Sequence, residues 1–230
     1  MRILLIPGLW LDASSWDAVV PLLREAGHDP VPLTMPGIGA PASESADVGI
    51  ADWVDAVAAE IDAADEPVVV VGHSGGGNVA WAAAEMRPHR VARVVLVDTV
   101  PVPPDSSISE FPIVDGVAPF PGWDFFDEED VWDLDAETRA STEPRMRSVP
   151  ARVPSEPLPL EGSRRFGVPV TLLMGTMDEA AFREAVAGWG AFGEEFAAID
   201  DARVVRLDSA HWPQFTKPDV LAREIAAAVG

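Results

Sequence analysis

Apolar and polar positions follow two rhythms along this chain. Short apolar runs, many of them β-branched, recur at 2–6, 30–33, 67–71, 91–97, 168–174 and 203–207, separated by stretches containing Pro, Gly or charged residues. Val68-Val69-Val70-Val71 is the clearest of them. A strand that is apolar on both faces belongs in a parallel sheet covered by helices on its two sides. Between the runs the spacing turns helical, as in Trp53, Val54, Val57, Ala58 and Ile61, which share one face of a helix over 50–64. Further helices are predicted over 15–26, 75–87 and 217–229, with one or two more inside 179–199. Strand alternating with helix predicts an α/β class: a doubly wound, mostly parallel sheet of about six strands with right-handed crossovers. A chain of 230 residues fits one domain, 1–230.

One segment breaks the alternation. Residues 99–166 are rich in proline and carry Phe111, Phe120, Trp123, Phe125, Phe126 and Trp132. A solvated loop has little use for so many aromatics. They are expected to pack this segment onto the sheet as a cap and to wall an apolar pocket, with Trp123 and Phe126 as pocket residues. The acidic run Asp127-Glu128-Glu129-Asp130 is expected to open a helix, because carboxylates favour a helix N-terminus. Arg139, Arg145, Arg147 and Arg152 could meet a substrate carboxylate, but solvated ion pairs are the simpler expectation.

Chemistry enters where the run 68–71 meets Gly72-His73-Ser74-Gly75-Gly76-Gly77, followed by the apolar helical stretch 78–86. Gly-x-Ser-x-Gly between a buried strand and a helix is the setting of a nucleophile elbow. Gly72 and Gly76 let strand and helix approach, and the helix N-terminus offers amides to a developing anion. A phosphate-binding turn would need Gly-x-Gly-x-x-Gly or a Gly-Lys-Ser/Thr ending, and neither is present. A serine needs a base. Of the four histidines, His28 and His89 sit at predicted helix exits, and His73, as the neighbour of Ser74, suits packing or hydrogen-bonded support. His211 lies on a loop after the strand at 203–207, at the sheet edge where catalytic groups gather. In the order Ser…Asp…His the acid is expected to be Asp178, whose strand should adjoin the one feeding His211; Asp98, at the end of strand 91–97, is the rival. Asp208 is expected to hold the histidine loop by hydrogen bonds.

These motifs resemble the α/β-hydrolase superfamily, in its small esterase-like and hydroxynitrile-lyase-like branch, over nearly the whole chain. Arg2-Ile3-Leu4-Leu5-Ile6-Pro7-Gly8-Leu9-Trp10 is similar to the family's first central strand and oxyanion loop, with Pro7 where the family has histidine. Asp12-Ala13-Ser14-Ser15-Trp16 matches the opening of its first helix, with Ser14 or Ser15 as N-cap. Thr34-Met35-Pro36-Gly37-Ile38-Gly39 resembles its Leu-Pro-Gly-His-Gly loop. The resemblance implies an oxyanion hole built from the backbone amides of Leu9 and Gly75, and a sheet lacking the two N-terminal edge strands of the usual eight. Trp10 and Trp212, beside those loops, join the expected pocket residues.

Charge narrows the partners. The formal net charge of −22 opposes nucleic acid and anionic membranes. No stretch approaches the apolar length of a membrane span, and the apolar start reads as a strand instead of a signal segment. With no cysteine there is no disulfide or thiolate site, which is compatible with a cytoplasmic location. The expected activity is that of a serine hydrolase, without metal or organic cofactor, cleaving a small carboxylic ester, thioester or lactone through an acyl-enzyme. A lyase of hydroxynitrile-lyase or retro-aldol type, or a non-catalytic small-ligand receptor, would use the same framework differently.

Overall fold

The computed structural model describes all residues, 1–230. Eight strands form: β1 (Arg2–Ile6), β2 (Asp29–Pro32), β3 (Val68–His73), β4 (Val91–Val97), β5 (Val117–Ala118), β6 (Val149–Pro150), β7 (Val170–Met174) and β8 (Ala202–Arg206). Ten helices accompany them: α1 (Val20–Glu25), α2 (Ala42–Ser45), α3 (Ile50–Asp62), α4 (Gly75–Met86), α5 (Glu128–Val131), α6 (Ala136–Thr142), α7 (Glu179–Val186), α8 (Ala191–Ala197), α9 (Pro213–Thr216) and α10 (Pro218–Val229). Six strands make one parallel sheet in the order β2-β1-β3-β4-β7-β8. β3 is buried at every position, as its valine run requires.

Alternation of side chains across the sheet divides the core in two. Leu4, Ile6, Val68, Val70, Val94, Leu96, Val170 and Leu172 point to the face covered by α3, α4 and the segment between β4 and β7. Ile3, Leu5, Val69, Val71, Val95, Val97 and Leu173 point to the face covered by α1 and α10. The sheet is therefore doubly wound, as the apolar runs demand.

Several boundaries differ from expectation. The first predicted helix is two pieces, a 3₁₀ turn at Ala13–Trp16 and then α1 with Pro21 in its first turn, since proline lacks the N–H to continue a helix. Asp12, not Ser14 or Ser15, caps the 3₁₀ turn by accepting from Ser14 N. The strand expected to end at 71 runs on through Gly72 and His73, which pair with Leu96 and Val97 of β4. The acidic run does open a helix: Asp127 is the N-cap of α5.

Residues 99–166 contain the antiparallel pair β5–β6 and the short helices α5 and α6. Their far end is pinned by Arg165, which is buried and pairs with Glu85 of α4 at 3.1 Å and Glu195 of α8 at 2.6 Å. Trp81 of α4 donates to the same Glu195 at 2.8 Å. Burial pushes the Glu85 carboxyl up, but the hydrogen bonds and charge of Arg165, with Arg164, outweigh it and hold it below the usual range. This closed set of partners locks α4, the helix that begins directly after Ser74, from behind.

Candidate active site

Ser74 stands between β3 and α4 with φ 51° and ψ −126°. Non-glycine residues rarely hold such a conformation, and it persists only where the surroundings enforce it. They do so here. Ser74 N donates to Val97 O of β4 at 3.0 Å, and Gly77 N donates back to Ser74 O at 2.8 Å. A Cβ on Gly72 would run into Gly76 O, and one on Gly76 into Pro7 O, so the turn closes only with glycine at both positions.

Gly75 opens α4, and the first amides of a helix have no partner inside it. A side chain on Gly75 would meet Leu9 Cγ at 3.2 Å, so the Leu9 side chain packs against the Gly75 backbone, and the two residues that carry the expected oxyanion amides are neighbours. Trp10, next along, sits at φ 63°, a turn that brings its ring back over the same site.

The loop after β8 reaches the serine by an unexpected route. Asp208 adopts φ 55°, and Ser209 N donates to Gly175 O at 3.1 Å, so the chain crosses the end of β7. A Cβ on Gly175 would stand 2.6 Å from Ser209 O and 3.0 Å from Asp98 Oδ1; the crossing exists because that side chain is absent. It delivers His211 to the end of β4, where Nδ1–H donates to Asp98 Oδ2 at 2.7 Å. Gly175 N donates to the other oxygen, Asp98 Oδ1, at 2.9 Å. Burial pushes the Asp98 carboxyl up, but the hydrogen bond and charge of His211 and the Gly175 amide outweigh it and hold it below its ordinary value.

Asp178, the expected acid, is elsewhere. It is exposed and caps α7, its Oδ1 accepting from Ala181 N at 2.9 Å. The expectation rested on β7 adjoining β8. That adjacency is real, but the loop passes over β7 instead of stopping beside it, so the carboxylate on the histidine is that of Asp98. Asp208 likewise points away, pairing with Arg206. Other groups hold the loop: Asp133 Oδ2 accepts from Ala210 N and from the Thr216 hydroxyl, both at 2.9 Å, and Asp130 O accepts from His211 N at 3.1 Å. All come from the segment between β4 and β7.

His73 is a buried support. Its Nε2 donates to His211 O at 2.7 Å, and its Nδ1 accepts from Gln214 Nε2 at 3.3 Å. Burial, reinforced by the nearby His211, lowers its pKa to about 3, so the ring is neutral.

Ser74 and His211 line one cavity of about 230 Å³ with Leu9, Trp10, Phe126 and Trp212. Ile108, Ser109, Phe111, His73 and Asp130 complete it. Trp212 stands edge-on to Phe126 at 4.7 Å, and Trp10 edge-on to Phe111 at 4.7 Å. Trp123 is not on the wall. It is buried behind it with Leu11, Val131, Leu134 and Trp212, and Nε1 donates to Arg139 O. The four arginines of the segment satisfy backbone carbonyls or acids such as Asp12, Asp17 and Glu156, and none lines the cavity. Phe111 was legible as one aromatic among several; Asp130 read only as part of a helix start. No three His, Asp or Glu side chains converge as a metal ion would require.

A parallel six-stranded sheet with a strained serine at a strand–helix turn and a histidine loop at its C-terminal edge defines a class, and the comparisons agree with it. The alpha/beta hydrolase family profile matches residues 3–224, and the chain belongs to that family. Esterase PIR7B of Oryza sativa subsp. japonica is 39% identical over 99 residues, covering 41% of this chain and 37% of the rice protein. The matched stretch is thus well under half of that relative's length. Among solved structures, an extracellular alpha/beta-hydrolase from a Paenibacillus species superposes with a TM-score of 0.77 at 21% identity, covering 99% of this chain and 98% of that one. A methylesterase from Arabidopsis gives a TM-score of 0.74 at 18% identity, covering 100% and 98%. No helix is long and apolar enough to cross a membrane.

Proposed function

We propose that this protein is a carboxyl-ester hydrolase that works through an acyl-enzyme on Ser74, with His211 as base and Asp98 as its orienting acid. The observation that carries the reading is the 2.7 Å hydrogen bond from His211 Nδ1–H to Asp98, made at the edge of a cavity that Ser74 also lines. With Nδ1 carrying the proton, Nε2 is the basic nitrogen. It takes the hydroxyl proton as Ser74 Oγ attacks the ester carbonyl, and the imidazolium formed is stabilised by Asp98. The Leu9 and Gly75 amides receive the charge that develops on the carbonyl oxygen, an interaction worth about 10²–10³ in rate for one such donor. Collapse expels the alcohol, which leaves with the proton from His211. Water, activated by the same nitrogen, then releases the acid and frees Ser74.

The apolar wall of Leu9, Trp10, Phe126 and Trp212 suits an acyl or alcohol group of modest size, and residues 99–166 act as the cap of a single domain, 1–230. The names of the rice esterase and the Arabidopsis methylesterase support ester chemistry. Cyanohydrin cleavage is a weaker fit, because no lysine or arginine lines the cavity to receive a departing cyanide. A cytoplasmic setting is compatible with the cysteine-free chain.

An alkyl phosphonate p-nitrophenyl ester tests this directly. It should add its mass to the peptide holding Ser74, and Ser74→Ala should fold normally yet lose at least about 10⁴-fold in ester turnover. Substantial hydrolysis by the alanine variant would reject the acyl-enzyme.

A further inference from the structure

The cavity wall contains one formally charged side chain, Asp130. Its carboxylate has no ion-pair partner and no hydrogen bond, although ion pairs are formed by many other acids of the chain. Its main-chain carbonyl accepts from His211 N at 3.1 Å, which fixes the residue beside the base. A second cavity of about 360 Å³ lies on the other side of His211 and Asp98, and Asp130 lines that one too, with Glu129. Neither cavity has a lysine or arginine on its wall. The reacting centre therefore sits in an uncompensated negative field inside a chain of net charge −22. Burial raises the Asp130 carboxyl, with Asp98, Asp127 and Glu129 adding to the rise and His211 opposing it, as a carboxylate without a counter-ion should behave.

We propose that Asp130 sets the charge of the substrate: the site takes neutral and cationic esters and rejects those whose acyl or leaving group carries a carboxylate or phosphate. The inference rests on the ester-hydrolase reading and narrows it, because a thioester of a phosphate-bearing carrier falls on the rejected side. It also assigns Asp130 a part in turnover. Hydrolysis creates a carboxylate in the cavity that Asp130 lines, and like charges in a partly desolvated site repel, so the acid product is driven out and inhibits weakly.

The test uses p-nitrophenyl esters of matched shape: γ-trimethylammoniobutyrate, its neutral tert-butyl analogue, and glutarate with a free terminal carboxylate. The wild-type kcat/KM should fall in that order, with the anionic ester at least about 10-fold below the neutral one. Asp130→Asn keeps the main-chain bond to His211. It should raise kcat/KM for the anionic ester relative to the neutral one about 10-fold, and lower that of the cationic ester relative to the neutral one. Glu129→Gln, outside the catalytic cavity, should shift the series less. Wild-type indifference to charge, or an Asp130→Asn effect equal on all three esters, overturns the proposal. The primary amides of the same three acids are also titrated into Ser74→Ala, following the tryptophan fluorescence, to which Trp10 and Trp212 of the cavity wall contribute. The same charge order in binding without any ester turnover by the wild type would reject the hydrolase reading and leave the Asp130 assignment standing; loss of the order in binding overturns the assignment itself.

Discussion

Replacing Asp98 by asparagine separates the orienting carboxylate from every other role, because size and shape barely change. The carboxylate accepts twice, from Gly175 N at Oδ1 and from His211 Nδ1–H at Oδ2. An amide offers one acceptor and one donor. With its oxygen toward Gly175, the NH₂ faces His211 Nδ1 and forces the proton onto Nε2, where the base can no longer accept from Ser74. Turned the other way, the NH₂ meets the Gly175 N–H, and a donor is left unpaired at a cost of about 1–3 kcal/mol. The productive orientation is thus populated at about a tenth to a hundredth, and the negative charge that stabilises the imidazolium is gone as well. Together these predict a fall in kcat of about 10³–10⁴-fold with KM little changed. The assay is steady-state hydrolysis of p-nitrophenyl butyrate, with the His211 Nδ1 proton followed by NMR as a check on the tautomer. Asp178→Asn should cost only the part of a helix cap that an asparagine fails to replace, a few tenths of a kcal/mol, and leave kcat intact. A crippled Asp178→Asn beside an active Asp98→Asn would refute the reasoning from the loop onward.

Gly175→Ala should force the histidine loop away from β7, because its Cβ would sit 2.6 Å from Ser209 O; a displacement of this kind costs about 10²-fold in kcat, whereas Gly188→Ala, whose nearest neighbour is 3.5 Å away, should act as wild type. Phe126→Ala should raise KM for bulky esters by about 10-fold while sparing acetate esters. Trp123→Ala, behind the wall, should lower stability by roughly 3–5 kcal/mol in a thermal or urea melt and affect all esters equally. His73 makes stability depend on pH with a definite sign. The unfolded chain takes up its proton near 6.5 and the folded one only near 3, so the unfolded state binds more protons between these values and acid destabilises the fold at about 1.4 kcal/mol per pH unit. The stability gap between wild type and His73→Gln should accordingly narrow by about 2 kcal/mol between pH 7 and pH 5; a constant gap would show that the ring is not buried neutral.

The parts legible in the sequence were those that local physics decides. Four consecutive valines leave no polar face, so β3 had to be central, and a serine among glycines after it had to turn sharply. His211 was identifiable as the candidate base because it follows a strand and its three competitors did not suit the role. The carboxylate that meets it was not, since its identity depends on a path. Nothing local in Asp208-Ser209-Ala210 says that the chain will climb over β7, and the permissive residue, Gly175, belongs to another element. Trp123 and Phe126 are three positions apart and both large aromatics, so which one faces the cavity is decided by the 3₁₀ turn Trp123–Phe125 and not by composition. Asp130 was hidden for a similar reason, as four acids in a row look interchangeable until one of them lines a cavity.

The supports of His211 have a bearing on engineering. The His211 loop hangs from Asp130 O and Asp133, which belong to the same stretch as the cavity wall at Phe126. Grafting a foreign stretch over 123–133 to widen the substrate range would therefore also remove the mount of His211, and such chimeras should lose turnover before they gain breadth. Point changes at Phe126, Ile108 or Phe111 avoid that coupling, since those side chains touch the cavity without carrying the loop. The tolerant places for insertion are the exposed turns at 104–105 and 113–116, away from both Asp133 and the elbow. A library built on this division keeps the proton-transfer geometry fixed while the pocket varies.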